Sequence, residues 1–214
     1  MQIGEPDQSE GSNDTQNLGR PADLFVDVEA REVYVADGYG NRRIVVFDTE
    51  TGEYKRHWGA YGNTPHDDPL PAYDPAAAPS DQFGNPVHCV HVSRDGLVYA
   101  CDRTNDRMQV FQKNGTFVSE AFFEPETLMN GSVYDLVLSR DPTQSLIFMV
   151  DGMNSELRII DRASNATLGR IGRPGRSAGQ FYAVHDMTMD SQGTLYTPEV
   201  QTGQRVQKFR RLNQ

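Results

Sequence analysis

Positive charge is in short supply in this sequence: 20 basic residues stand against 30 acidic ones, for a formal charge of −10. A nucleic acid or an anionic membrane surface asks for a cationic face, so neither is expected as the main partner. No apolar run approaches the roughly 20 residues of a membrane-spanning helix. Met1-Gln2-Ile3-Gly4 leads into a polar stretch rather than a basic end and an apolar block, so no signal peptide is read. That fits a cytosolic protein, and equally a piece of a longer secreted or periplasmic parent. Cysteine is scarce at two, too few for a disulfide framework. Cys89 and Cys101 fall on neighbouring strands of one expected hairpin, where a bridge is geometrically awkward, so free buried thiols are expected. Absent too are a phosphate-cradling glycine loop and a nucleophile elbow.

What the chain does have is a repeat. Asp37 to Phe47 reads Asp-Gly-Tyr-Gly-Asn-Arg-Arg-Ile-Val-Val-Phe, and altered copies run Asp102 to Phe111, Asp151 to Ile160 and Glu199 to Phe209. An apolar run precedes each copy, Val33 to Ala36, Leu97 to Ala100, Ile147 to Val150 and Thr194 to Thr197, with a second apolar run and a turn further back. Strand, turn, strand, polar turn, strand, repeated at roughly 45–50 residues, is the signature of a β-propeller blade. The modest hydrophobic content of 37%, with 19 glycines and 12 prolines, suits many short half-buried strands. The expected fold class is therefore all-β, a β-propeller with four repeats, in one domain over residues 1–214.

Residues 1–18 read as an orphan outer strand, 1–4, followed by a polar loop. The strand is inferred from the Ile-Gly-x-Pro pattern that Ile171 to Pro174 shares with the chain's start. Repeat 1 spans 19–62, repeat 2 spans 83–127, repeat 3 spans 128–179 and repeat 4 spans 180–214, ending after its third strand. Residues 63–82 hold Pro65, Pro69, Pro71, Pro75 and Pro79, a composition no strand survives, so they form an inserted loop. The missing outer strand of repeat 4 and the orphan strand at 1–4 are complementary. The repeat count fits a four-bladed ring closed by its own N-terminus, and equally the C-terminal part of a six-bladed ring.

Aligned on their hairpin turns, the inner strands carry Asp23, His88, Tyr134 and His185 at one position. Inner strands line a propeller's channel, so His88 and His185, from alternate blades, are candidate metal ligands: neutral imidazole is the commonest zinc donor. A second reading has each histidine hydrogen-bonding a neighbouring blade. Two residues break their repeats at the same rim: Arg103 stands where repeats 1 and 3 have Gly38 and Gly152, and Tyr39 where the others have Thr104, Met153 and Gln201. A phenol beside a guanidinium is a candidate general base, since positive charge favours a phenolate. The bland counterparts are a salt bridge for Arg103 and a turn cap for Tyr39. An Asp and an Arg at a fixed offset, in the runs Asn41-Arg42-Arg43 and Asn105-Asp106-Arg107 and with Arg205 recurring at the same place, are expected to tie the polar turns together between blades.

The pattern Asp-Gly-Tyr-x-Asn-x-Arg-Ile, after an inner strand with Pro-x-(His/Asp)-(apolar), resembles the NHL repeats. Among NHL proteins it is similar to the peptidyl-α-hydroxyglycine α-amidating lyases and their bacterial relatives, over about residues 1–212. The resemblance implies zinc held by three histidines from alternate blades, two matching His88 and His185, the third falling upstream of Met1 as in a six-bladed parent. It implies Tyr39 as catalytic base and Arg103 as a catalytic arginine. It also matches Asp186 to an aspartate near the family's structural calcium. Ala183 departs from the family, which has methionine there. The function so implied is cleavage of a carbinolamide C–N bond in a peptide or small-molecule substrate. The alternative is a non-catalytic propeller that binds a protein or peptide through its rim and the 63–82 loop. Oligomeric state is not legible here.

Overall fold

The computed structural model describes residues 1–211. It divides into two compact units, Met1–Met129 and Asn130–Gln214. Unit 1 holds two four-stranded antiparallel sheets. The first runs in the order β1 (Asp23–Asp27), β2 (Glu32–Asp37), β3 (Arg43–Asp48), β4 (Tyr54–Trp58). The second follows the same order with β5 (Val87–Val92), β6 (Leu97–Asp102), β7 (Arg107–Gln112) and β8 (Phe117–Phe122). Unit 2 holds a four-stranded sheet of β9 (Val133–Leu138), β10 (Leu146–Asp151), β11 (Glu156–Asp161) and β12 (Thr167–Ile171). Its second sheet has three strands, β13 (Thr188–Met189), β14 (Leu195–Glu199) and β15 (Arg205–Phe209). Among the described residues no helix is long and apolar enough to cross a membrane.

The strand types follow the composition. Middle strands such as β2, β3 and β6 are covered on both faces and are almost wholly buried, whereas β1 and β15 alternate half-buried and exposed residues. The core of unit 1 gathers Tyr34, Ile44, Trp58, Phe83, Val90 and Phe111, and that of unit 2 Val137, Val150, Leu157, Phe181 and Leu195. Residues 63–82 form neither strand nor helix. The loop is tied down: Asp67 accepts the Ser12 N–H at 2.9 Å, and Tyr73 donates its hydroxyl to the Pro125 carbonyl at 2.8 Å.

Each repeat's acidic residue is the hub of a buried clasp, as the sequence pattern led us to expect. Asp37 accepts from Arg43 Nε at 2.9 Å, Asn41 Nδ2 at 2.8 Å and the Gly19 N–H at 2.7 Å. Asp102 does the same with Arg107 Nε at 2.7 Å, Asn105 Nδ2 at 2.8 Å and the Gly84 N–H at 2.8 Å. Asp151 receives Arg158 and Asn154, and Glu199 receives Arg205, Gln207 and the Tyr182 N–H. The arginine's far side then reaches a main-chain carbonyl of the entry segment, Asn17 for Arg43, Gln82 for Arg107 and Gln180 for Arg205. A buried guanidinium is tolerable only when its donors are used up in this way.

Three expectations are corrected. Cys89 and Cys101 are bonded to each other rather than free. The register makes them direct partners across β5 and β6, with Cα atoms 4.8 Å apart, inside the span a disulfide accepts. Residues 1–4 form no strand. Ile3 instead packs beside Val35, Val45 and Phe47 of the first sheet, and Gln2 folds its amide onto the Gly4 carbonyl. Finally, Asp23 is not level with His88. Asp23 pairs with Ala36, the residue before Asp37, and Cys89 pairs with Cys101, the residue before Asp102, so Asp23 corresponds to Cys89. The hairpin between β1 and β2 is one residue longer than its counterpart between β5 and β6, and counting back from the turns absorbs that residue into the strand.

Candidate functional site

The site grows out of the clasps of repeats 1 and 2, both in unit 1. Tyr39 is two residues past the Asp37 hub and Arg103 one past the Asp102 hub. Each therefore rides on a turn whose backbone is already pinned by three buried hydrogen bonds. His88 comes from β5, where the pairing slips between Val87↔Asp102 and Cys89↔Cys101, leaving His88 as the extra residue of a β-bulge. A bulge re-aims the side chain it carries.

These three side chains meet. Tyr39 Oη and His88 Nε2 share a hydrogen bond of 3.0 Å, and the rings stand edge to face with centroids 5.7 Å apart. Arg103 Nη1 donates to Tyr39 Oη at 3.4 Å, and its guanidinium lies 5.7 Å from the Tyr39 ring centroid. His88 and Arg103 are 5% and 8% exposed, whereas Tyr39 is 44% exposed, so the phenol is the member a ligand in solvent can reach. A phenol hydrogen-bonded to an imidazole, with a guanidinium beside it, is the equipment of a general base with a relay behind it.

The turn that carries Tyr39 also borders a cavity. A space of about 940 Å3 lies against Gly40, Arg42, Arg20, Ile3, Pro6 and Glu10, all in unit 1. The Tyr39 N–H donates to the Arg20 carbonyl at 3.1 Å, which joins the cavity wall to the site. Its volume is within the range of small-molecule and peptide pockets.

In unit 2, His185 meets Tyr134 edge to face, centroids 5.7 Å apart. Tyr134 is itself a bulged residue, between Val133↔Asp151 and Asp135↔Val150, so it occupies in repeat 3 the place of His88 in repeat 2. Asp186 is exposed, and its carboxylate accepts the Met187 N–H at 2.6 Å, which Asp135 also accepts at 2.7 Å. Tyr39, His88 and Arg103 thus converge within unit 1, and His185 and Asp186 are described within unit 2. Sequence reasoning passed over Asn85, whose amide grips the Tyr39 turn. An asparagine ahead of proline at the entry of an inner strand was the available signal.

Three antiparallel sheets of four strands and one of three, each built on the same hub turn, make this chain a β-propeller of four blades. Solved structures agree: the chain superimposes on the WD40 repeats of RRP9 with a TM-score of 0.55, 12% identity, 83% of this chain and 44% of that one. It superimposes on streptogramin B lyase with a TM-score of 0.57, 13% identity, 92% of this chain and 56% of that one. At such identities the likeness is one of fold. In sequence, 109 residues are 32% identical to peptidyl-glycine alpha-amidating monooxygenase B of Xenopus laevis. The match takes in 50% of this chain and 11% of that protein's length. No protein-family model matches the chain.

Proposed function

We propose that this propeller is an amidating-lyase-like module whose working group is the Tyr39–His88–Arg103 cluster, acting on a peptide that ends in α-hydroxyglycine. The observation that carries the reading is an exposed phenol hydrogen-bonded to a buried imidazole beside a buried guanidinium. The similarity to a peptidyl-glycine amidating enzyme supports the choice of substrate class. The neighbouring cavity is large enough for the peptide part.

The reaction needs no redox partner. Tyr39 takes the proton of the substrate's α-hydroxyl as its own phenolic proton passes to His88. The carbon–oxygen double bond forms as the C–N bond breaks. The electron pair passes to the amide nitrogen, which takes a proton back from the Tyr39–His88 pair, leaving a peptide amide and glyoxylate. Arg103 steadies the negative charge that develops as the proton moves.

The resemblance adds zinc at His88 and His185, and calcium near Asp186. Around His88, unit 1 supplies one imidazole, one phenol and a guanidinium, and a guanidinium has no lone pair to give. A catalytic zinc takes three protein ligands, so a metal at His88 would need donors beyond this group. Metal content of the dialysed protein, beside His88→Ala and His185→Ala, reads zinc occupancy directly.

The test of the activity is glyoxylate release from an N-acyl-α-hydroxyglycine. The protein is expected to accelerate release above the buffer rate, and Tyr39→Phe to lower kcat by at least about 100-fold, the scale of a lost general base. No acceleration, with or without added zinc, would overturn the reading in favour of a propeller that binds peptide or protein without chemistry.

A further inference from the structure

Asn85 lies three residues before His88, in the segment that enters β5, and its amide is wholly occupied by the neighbouring repeat. Nδ2 donates to the Gly38 carbonyl at 2.7 Å and to the Asn41 carbonyl at 3.1 Å, while Oδ1 accepts from Arg42 Nε at 2.9 Å. Those three residues bracket Tyr39. An asparagine side chain has two N–H donors and one carbonyl, and here all three groups hold a single turn.

A second contact works alongside. A Cβ placed on Gly38 would overlap the Val87 carbonyl oxygen, so the turn lies flush against β5 one residue before His88. The backbone of repeat 1 therefore approaches β5 at two points, Asn85 and Val87, and the next side chains along the two segments are Tyr39 and His88. Repeats 1 and 4 have Arg20 and Ala183 at the residue that follows the clasp N–H, where repeat 2 has Asn85. Neither offers an amide. Asn85 departs from its repeat just as Tyr39 and Arg103 do, and touches the turn that carries one of them.

We propose that Asn85 is a positioning residue: its amide sets the distance between Tyr39 Oη and His88 Nε2. The assignment rests on reading that pair as the working group, and it concerns geometry that is measurable whether or not the lyase reaction is the right one. Loss of the amide releases the Gly38 and Asn41 carbonyls to water, lets the turn lift from β5, and separates phenol from imidazole while the sheets stay paired. A shift of about 1 Å at a proton-transfer pair is enough to lower turnover about 100-fold.

The experiment compares wild type, Asn85→Ala and Asn85→Asp by NMR, reading through-space cross-peaks between the Tyr39 and His88 ring protons. Asn85→Asp keeps an oxygen for Arg42 and removes both donors, so it isolates the grip on the turn and backs up the alanine variant should that fold poorly. The expected result is clear cross-peaks in wild type, a several-fold loss in both variants, and unmoved amide resonances in β9 to β12. In the glyoxylate assay kcat should fall about 10- to 100-fold with KM within about twofold. Cross-peaks of wild-type intensity in a folded Asn85→Asp protein would overturn the assignment. A wild type without lyase activity but with cross-peaks that vanish in the variants would refute the proposed reaction and leave the positioning role standing.

Discussion

Replacing Arg107 by methionine asks how much of unit 1 hangs on one clasp. The guanidinium is fully buried. It donates to Asp102 at 2.7 Å, to the Gln82 carbonyl at 3.0 Å and to Tyr61 Oη at 2.8 Å. Methionine fills much of the same volume but answers none of those acceptors. Asp102 is left as a buried carboxylate with only Asn105 and the Gly84 N–H, and the Gln82 carbonyl loses its guanidinium donor. Stranding one member of a buried ion pair costs about 3–5 kcal/mol. In a chain of this size that lowers the melting temperature by roughly 6–20 °C.

The assay has a built-in reporter. The chain has a single tryptophan, and Trp58 packs on Phe111 and Tyr34 inside unit 1, so its fluorescence follows the unit that carries the mutation. Burial already pushes the Asp102 carboxyl above its usual range against the pull of Arg107. A folded carboxyl raised above its unfolded value costs stability above the raised pKa, and that cost shrinks as pH falls through it. The Arg107→Met deficit should therefore narrow in acid. Arg205, 27% exposed, should cost less on the same change, because its guanidinium is already partly solvated and the buried Glu199 keeps Gln207 and the Tyr182 N–H. A loss below about 1 kcal/mol for Arg107→Met in denaturant titration would refute the view that the clasp holds the sheet.

Two further outcomes follow from single contacts. Arg56 grips Glu32 with two hydrogen bonds, 2.7 and 2.6 Å, and holds its carboxyl at about 2 against the burial that opposes it. A depressed folded pKa contributes stability above the unfolded value of 4.5 and loses it as pH falls toward 2. Glu32→Gln should flatten that acid limb, by up to about 3 kcal/mol in unfolding titrations. The Cys89–Cys101 bond closes a loop of sequence separation 12, so the double alanine variant should lose about 2–3 kcal/mol on the Trp58 signal. A reduced wild type should match that variant.

Strands were legible where burial imposes a pattern. The period of the Asp-hub turns, the apolar runs of β2, β6 and β10 and the proline-rich run at 63–82 each have one structural solution, and the chain adopts it. The acid–arginine clasp was legible for the same reason: an acid followed five to seven residues later by an arginine in a buried turn has little else to do. What could not be read is anything that depends on register. One extra residue in the β1–β2 hairpin moves Asp23 off the His88 level, and a pairing slip at His88 brings Cys89 opposite Cys101. Neither leaves a mark on composition. Tyr39, His88 and Arg103 stood out as departures from the repeat, but their meeting required the turn of one repeat to lie on the strand of the next, a contact made by Gly38 and the Asn85 amide.

The clasps also govern where the chain can change length. Arg43, Arg107 and Arg205 each take a carbonyl from the segment returning to the sheet, so the clasp senses where the backbone comes back and is indifferent to how far it has strayed. From β4 to Gln82 the chain makes a long excursion, from β12 to Gln180 a short one, and both end on the same guanidinium contact. Such a return point is an insertion port. Lineages can add or trim sequence there, and an engineer can graft a display peptide between residues 76 and 80, past the Tyr73 anchor, without the sheets registering the difference.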